Sequence, residues 1–253
     1  MKAMNVLILI VIFFSFNSFM TPPDFLSQQK KFERVRAAFL EKENVIQQQL
    51  KVNGLQPGNF KLLVVAYKAE DEIELYVKKE SESVYNKLIS YEVCAKSGQL
   101  GPKRKQGDLQ VPEGFYHIDR FNTTSNFHLS LGVNYPNESD RKKSTAEHLG
   151  GDIFIHGSCV TIGCLPMTDD KIKEIYLYAV LARNNGQLEI PVYIFPFKMT
   201  DSNFDNYKAM AIYKENVQLI DFWKNLKSGF DKFQKEKAEL KVTVDKNGNY
   251  LFL

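Results

Sequence analysis

Apolar residues Phe32, Val35, Phe39, Ile46 and Leu50 recur at helical spacing between Asp24 and Asn53. The pattern predicts one amphipathic helix, with Asp24 as its cap and Asn53-Gly54 as its stop. From Phe60 the period changes. KLLVVAYKAEDEIELYVKK reads as two strands around a turn near Glu70-Asp71, and KLISYEVCAKSG as another strand ending at Gly98. VPEGFYHID and NFHLSLGVNYP follow as strands, and GGDIFIHG is a short apolar strand that ends at His156-Gly157. A second helix begins at the N-cap Thr168, has Asp169 and Asp170 in its first turn, and stops at Asn185-Gly186. IPVYIFPF is a further strand, the stretch from about Asp205 to Ala238 is helical, and KVTVDKNGNYLFL forms a closing hairpin over Asn247-Gly248. The expected fold class is mainly β, α+β overall, with helical segments at both ends.

The first twenty residues follow a different pattern. Lys2 precedes the nine-residue apolar run VLILIVIFF, and a polar, proline-marked exit follows it. That order predicts an export signal over residues 1–20. The run falls short of the ~20 residues of a spanning helix. Its poor cleavage site leaves an uncleaved N-terminal membrane anchor open. The expected organisation is then a helical segment over 24–57, a catalytic domain over 58–198, and a helix and hairpin extension over 199–253.

Composition narrows the function classes. The chain has 253 residues, 44% hydrophobic, and a net charge of +3, with basic and acidic residues interspersed. This mild balance gives no footprint for nucleic acid. Lys103-Arg104-Lys105 and Arg141-Lys142-Lys143 read as solvated loop surface. Three cysteines, Cys94, Cys159 and Cys164, are too few for a disulfide scaffold, and their odd number leaves one thiol unpaired. Cys94 sits in an apolar strand pattern and reads as a core residue.

The candidate chemistry lies in DIFIHGSCVTIGCLPMTDD, Asp152 to Asp170. A thiol nucleophile needs a base, a lowered pKa and donors for the oxyanion. His156 at a strand end supplies the base. Cys164 stands four residues before the N-cap Thr168, where the positive helix end favours a thiolate. Gly163 permits a tight turn in which the amides of Gly163 and Cys164 converge. No acidic third member is evident, and the Gly157 carbonyl is the candidate to orient the imidazole. Other readings stay open on the residues alone: a metal site of His156, Cys159 and Cys164 with His128, His148 or Asp152; a Cys159–Cys164 disulfide; or packing without chemistry.

IHGSCVTIGCLPMTD, together with GQLGPKRKQGDLQVPEGFYHI and FHLSLGVNYPNESDRKKS upstream, resembles the YkuD-type L,D-transpeptidase catalytic domain, in its YafK-like branch. The resemblance covers about Leu62 to Phe197. It implies a β-sandwich of mixed strands, no cofactor and no metal, and peptidoglycan stem peptides as partners. It implies Cys164 as the nucleophile, His156 as its base, Gly157 as the carbonyl holding the imidazole, and the amides of Gly163 and Cys164 as oxyanion donors. His128 and Tyr135 match the segment bordering the substrate groove, and Cys159 becomes a bystander. Ile162 stands where most members have a second histidine, and Leu165-Pro166-Met167 replaces the polar tail of the motif. Both departures are usual in this branch. The implied activity is acyl transfer through a Cys164 thioester. L,D-carboxypeptidase or amidase hydrolysis is the alternative within the same chemistry, and a non-catalytic or zinc-stabilised wall-binding module is the alternative of another class.

Overall fold

The structure, a computed structural model, describes residues 24–253. The expected export signal over residues 1–20 lies outside the described residues. The elements run α1 (Phe25–Gln29), α2 (Glu33–Val52), β1 (Lys61–Tyr67), β2 (Glu72–Lys78), β3 (Asn86–Glu92), β4 (Gly114–Asn122), β5 (Ser130–Val133), α3 (Glu138–Lys143), β6 (Ile153–His156) and β7 (Leu165–Pro166). They continue with α4 (Asp169–Asn184), β8 (Ile190–Phe195), α5 (Asp201–Ala209), α6 (Val217–Glu236), β9 (Val242–Val244) and β10 (Tyr250–Phe252).

Among the described residues, eight strands join one curled sheet in the order β3-β2-β1-β8-β4-β5-β6-β7. The β1/β8 and β6/β7 pairs are parallel and the others antiparallel. The expected α+β class is what the chain adopts, with α2 and α4 on one face of the large sheet and α6 with the two-stranded β9–β10 sheet on the other. In β1, Leu62, Val64 and Ala66 join the core shared with α2 and α4, while Leu63, Val65 and Tyr67 join the aromatic core around Trp223, Phe230 and Phe233 of α6. Burial on both faces explains why this strand reads as a continuous apolar run. The β9–β10 hairpin closes on the α6 side, where Tyr250 and Phe252 pack edge-on against Phe115 at 5.0 Å.

Four expectations are corrected. The single N-terminal helix breaks at Phe32, which is extended (φ −89°, ψ 134°). The Arg36 guanidinium takes the carbonyls of Lys30 and Lys31, and the break lets Phe25 reach Phe121 while Val35 and Phe39 stay buried. β3 stops at Glu92 rather than Gly98. There the Val93 amide turns to the Asp71 carbonyl (2.7 Å) and the Cys94 amide to the Pro166 carbonyl (3.0 Å), so the chain leaves β2 and crosses to β7. The helical tail divides into α5 and α6. Finally, the basic clusters are not plain solvated loops: Lys103 is buried against Asp108 at 2.7 Å, and Arg104 pairs with the buried Asp140 at 3.0 Å. Arg141 to Lys143 end α3, which begins with an Asn137/Asp140 capping box.

A buried ion pair joins the two sides of the sheet's end. Lys68, just past β1, meets Glu113, just before β4, at 2.9 Å, with side chains 6% and 0% exposed. Lys68 also donates to the carbonyls of Gly101 (2.7 Å) and Val111 (2.9 Å). Glu113 accepts from the Gly101 amide (2.6 Å) and from Trp223 Nε1 (3.0 Å). Burial pulls the Lys68 ammonium down and Glu113 opposes that pull. Glu113→Gln leaves this cation without its counter-charge and should lower the unfolding free energy by about 3–5 kcal/mol. Urea titration followed by far-UV circular dichroism reads this directly, and an unchanged midpoint would show that the pair is dispensable.

Candidate active site

His156 closes β6 and is buried, with 2% exposure. Its Nδ1 faces the Gly157 carbonyl oxygen at 2.5 Å, a contact that puts the ring proton on Nδ1 and leaves Nε2 with a free lone pair. The Phe127 ring packs against the imidazole at 4.7 Å between centroids. Gly157 has no room for a side chain. An added Cβ would sit 2.6 Å from Asp169 Oδ1, 2.9 Å from the Phe127 carbonyl oxygen and 3.0 Å from His128 Cβ. The Gly157 and Ser158 amides donate to the Leu129 carbonyl (3.1 Å) and to Asp169 (2.9 Å), which fixes the carbonyl that holds the ring.

Cys164 is the free cysteine and is half-buried. The β6/β7 register pairs Ile155 with Leu165 and His156 with Pro166, so the thiol stands beside Phe154 and Asp152. Its Sγ lies 3.6 Å from the Asp152 carbonyl oxygen. Burial pushes the thiol above its ordinary value; the Phe154 amide pulls it down, and the Asp152 charge adds to the upward push. Burial also pulls the His156 imidazole down, against the Gly157 carbonyl. The expected helix-stabilised thiolate is therefore corrected. Between Cys164 and α4 lies β7, and the amide of Lys171 is taken by Thr168. Burial thus favours the neutral form of both the thiol and the imidazole.

The amides of Gly163 and Cys164 converge on one oxygen, as the sequence led us to expect, but that oxygen belongs to the protein. Thr161 Oγ1 accepts from Cys164 N at 2.8 Å and from Gly163 N at 3.2 Å, and donates onward to the Cys164 carbonyl at 2.9 Å. Gly163 has φ +137°, a conformation only glycine adopts readily, and an added Cβ would press on the Gln110 carbonyl oxygen at 3.0 Å. The sequence reasoning passed over Thr161, although a hydroxyl three residues before an N–H is a recognised local turn signal.

Cys164 belongs to the walls of two cavities. One, of about 470 Å³, also has His156, Phe127, Val160 and Ile162 in its walls. The other, of about 240 Å³, has Asp71, Lys96, Ser97 and Leu165. His128 and Tyr135 line neither. The His128 carbonyl accepts from Arg34 at 2.7 Å, its Nε2 is buried without a partner, and burial pulls the ring's pKa down. The Tyr135 hydroxyl is buried and donates to the carbonyls of Lys103 and Leu149, each at 3.4 Å.

Cys94 and Cys159 form a disulfide with 5.4 Å between Cα atoms across a separation of 65 residues. Cys94 is thus not a simple core residue, Cys159 is its disulfide partner and offers no free thiol, and a Cys159–Cys164 bridge is not formed. The crossing of the chain from β3 to β7 brings the two sulfurs together. With Cys159 taken, the metal set of His156, Cys159 and Cys164 loses a ligand. Among the described residues, no group of three His, Cys, Asp or Glu side chains is arranged to hold a metal ion.

Residues 63–194, more than half of the chain, match the family model of the L,D-transpeptidase catalytic domain, YkuD. The chain belongs to the YkuD family. A relative named YafK, from Escherichia coli (strain K12), is 38% identical over 187 residues, covering 73% of this chain and 71% of the relative. Solved structures similar to this YkuD-family chain include the helical cell shape determining protein Pgp2 from Campylobacter jejuni, with 18% identity, 73% of each chain covered and a TM-score of 0.43. Bd1075 of Bdellovibrio bacteriovorus is another, with 18% identity, 74% of this chain and 75% of that one covered, and a TM-score of 0.40.

Two measurements probe the thiols of this YkuD-family chain. Iodoacetamide should label Cys164 alone, at a rate still climbing above pH 9, because the thiol titrates above its ordinary value of 9.0. A rate already flat near neutrality would reveal a thiolate–imidazolium pair instead. Replacing both Cys94 and Cys159 by Ser should lower stability by about 4 kcal/mol, the loop-closure contribution of a bridge of this span. Urea unfolding with and without reductant gives the comparison, and an equal midpoint for the reduced wild type and the oxidised wild type would refute it.

Proposed function

We propose that the protein is an exported cysteine acyl-transfer enzyme, an L,D-transpeptidase acting on peptidoglycan stem peptides through a Cys164 thioester. The observation that carries the reading is the shared cavity: the free thiol and an imidazole with its Nδ1 anchored line the same wall. Family membership supplies the substrate class, because the family acts on peptidoglycan peptides. The Cys94–Cys159 disulfide supports an oxidising compartment, in keeping with the apolar run at the start of the chain. Among the described residues, no helix is long and apolar enough to cross a membrane.

The chemistry follows from a neutral resting pair. Cys164 Sγ attacks the carbonyl carbon of a diaminopimelate or similar residue while its proton moves to His156 Nε2. Burial disfavours separate charges before substrate arrives, so proton transfer and attack go together. The new oxyanion takes the place of Thr161 Oγ1 on the amides of Gly163 and Cys164, where donors aimed at the developing charge contribute on the order of 3 kcal/mol each. Collapse breaks the C–N bond, the leaving amine receives the proton from Nε2, and a thioester remains. An amine, deprotonated by the same Nε2, then attacks the thioester and releases the thiol. Phe127, Val160 and Ile162 give this side of the thiol an apolar wall, which limits the access of water to the thioester. Water as the acceptor would give the carboxypeptidase or amidase outcome.

Incubation with defined muropeptides, followed by mass spectrometry, tests the reading. Cross-linked products and a Cys164-acylated protein are expected, with at least a 10³-fold loss in Cys164→Ala, since removing a covalent nucleophile costs about that much or more. Full activity in Cys164→Ala would end the thioester mechanism, and hydrolysed products alone would move the assignment to an amidase.

A further inference from the structure

The His156 imidazole leans on the loop that joins β4 to β5. Residues 123–129 form neither helix nor strand, yet Ser125 and Phe127 line the cavity that also has His156 and Cys164 in its walls. The Phe127 ring packs on the imidazole at 4.7 Å between centroids. The Leu129 carbonyl accepts from the Gly157 amide at 3.1 Å, and the Gly157 carbonyl in turn faces His156 Nδ1. The Phe127 carbonyl oxygen and His128 Cβ close so tightly on Gly157 that an added Cβ would lie 2.9 and 3.0 Å from them. The aim of the imidazole therefore follows the shape of this loop.

That shape is a constrained one. His128 has φ +66°, a left-handed conformation that a residue with a side chain keeps only where its surroundings determine it. Here the surroundings include Arg34, the second residue of α2. Arg34 Nη1 donates to the Ser125 carbonyl at 2.5 Å and to the His128 carbonyl at 2.7 Å, so one nitrogen spans the turn at Asn126-Phe127. Hydrogen bonds from a charged donor are stronger than neutral ones. The helix gives Arg34 a firm base: Val35 and Ala38 are fully buried, and Lys42 pairs with Asp170 at 2.6 Å and Glu174 at 3.0 Å. Arg34 lies outside residues 63–194, which match the family model, so this support comes from the N-terminal helical segment.

Building on the reading of His156 as the base, we infer that Arg34 is a positioning residue for that base. By gathering the Ser125 and His128 carbonyls on one nitrogen, it keeps Phe127 and Leu129 against His156 and Gly157, and it makes α2 part of the catalytic unit. Arg34 lines neither cavity at Cys164, so its effect passes through the loop. Without it the loop relaxes, Phe127 opens the imidazole face to water, and Nε2 loses its aim.

Arg34→Met keeps the apolar stem and removes the donor. In muropeptide turnover by the full chain, kcat should fall by roughly tenfold to a hundredfold, the range for a slightly misplaced catalytic group, with KM little changed. Arg34→Lys should recover most of that loss, because one nitrogen serves both carbonyls and an ammonium can take its place. The imidazole supplies a readout that stability alone does not move. Burial lowers its pKa against the Gly157 carbonyl, and among the described residues no charged side chain contributes. Water reaching the ring in Arg34→Met relieves the burial, so the NMR titration of His156 should move up toward its ordinary value of 6.5. The acid limb of kcat/KM should rise with it, because the neutral imidazole is the base. Lys42→Gln, which removes a different anchor of α2, should lower the melting temperature and leave kcat and the titration in place. Full activity in Arg34→Met, an unmoved His156 titration, or an equal loss of kcat in Lys42→Gln overturns the positioning role. A wild type that turns over no muropeptide overturns the acyl-transfer reading instead, while a shifted titration in Arg34→Met still upholds the hold of Arg34 on the imidazole.

Discussion

Lys68 and Glu113 face each other at 2.9 Å in the interior, and the walls of the groove depend on that contact. Two charges removed from water demand partners, and here the demand is met by a set of donors and acceptors drawn from three parts of the chain. Lys68 fixes the exit of β1, the Gly101 and Val111 backbone fixes the intervening loop, and Trp223 fixes α6. The loop so held presents the Gln110 carbonyl to Gly163, at the turn that carries Cys164. The position of the thiol is thus tied to a buried electrostatic arrangement at the end of the sheet.

A second constraint is the dryness of the site. Burial raises the Cys164 thiol and lowers the His156 imidazole, which disfavours the charged form of each. The turn amides are not idle either, because Thr161 occupies them with a neutral oxygen. The Thr161 hydroxyl therefore satisfies the Gly163 and Cys164 amides in the resting site, and in the proposed mechanism a substrate carbonyl takes its place. A thiolate at the half-buried Cys164 would be more open to oxidation than the thiol.

Much of this was legible along the chain. The β1–β2 hairpin, the short strand ending at His156, and α4 with its Thr168 cap and Asn185-Gly186 stop follow from local rules: strand alternation, side-chain capping and glycine or asparagine at helix ends. The contact of His156 Nδ1 with the Gly157 carbonyl and the glycine turn at Gly163 were legible because they depend on residues adjacent in sequence. α3 was missed even though Asn137 and Asp140 formed a readable capping box, since the basic residues after them looked like solvated surface. The length of β3 was misjudged because its end is set by a hydrogen bond from Val93 to Asp71, twenty-two positions away, and not by the apolar run itself.

The amino-acid sequence alone determined which groups could do acyl-transfer chemistry, because a thiol, an imidazole and a glycine turn are properties of residue type and short spacing. Tertiary structure decided the state of those groups and what surrounds them. It paired Cys94 with Cys159 across 65 residues, leaving Cys164 as the free thiol. It set the thiol's protonation by burial, against the helix-end effect that the spacing suggested, and it moved His128 and Tyr135 away from both cavities. It also gathered Asp71, Lys96 and Ser97 beside Cys164. Burial, long-range pairing and cavity shape depend on how distant strands pack, and no local pattern encodes them.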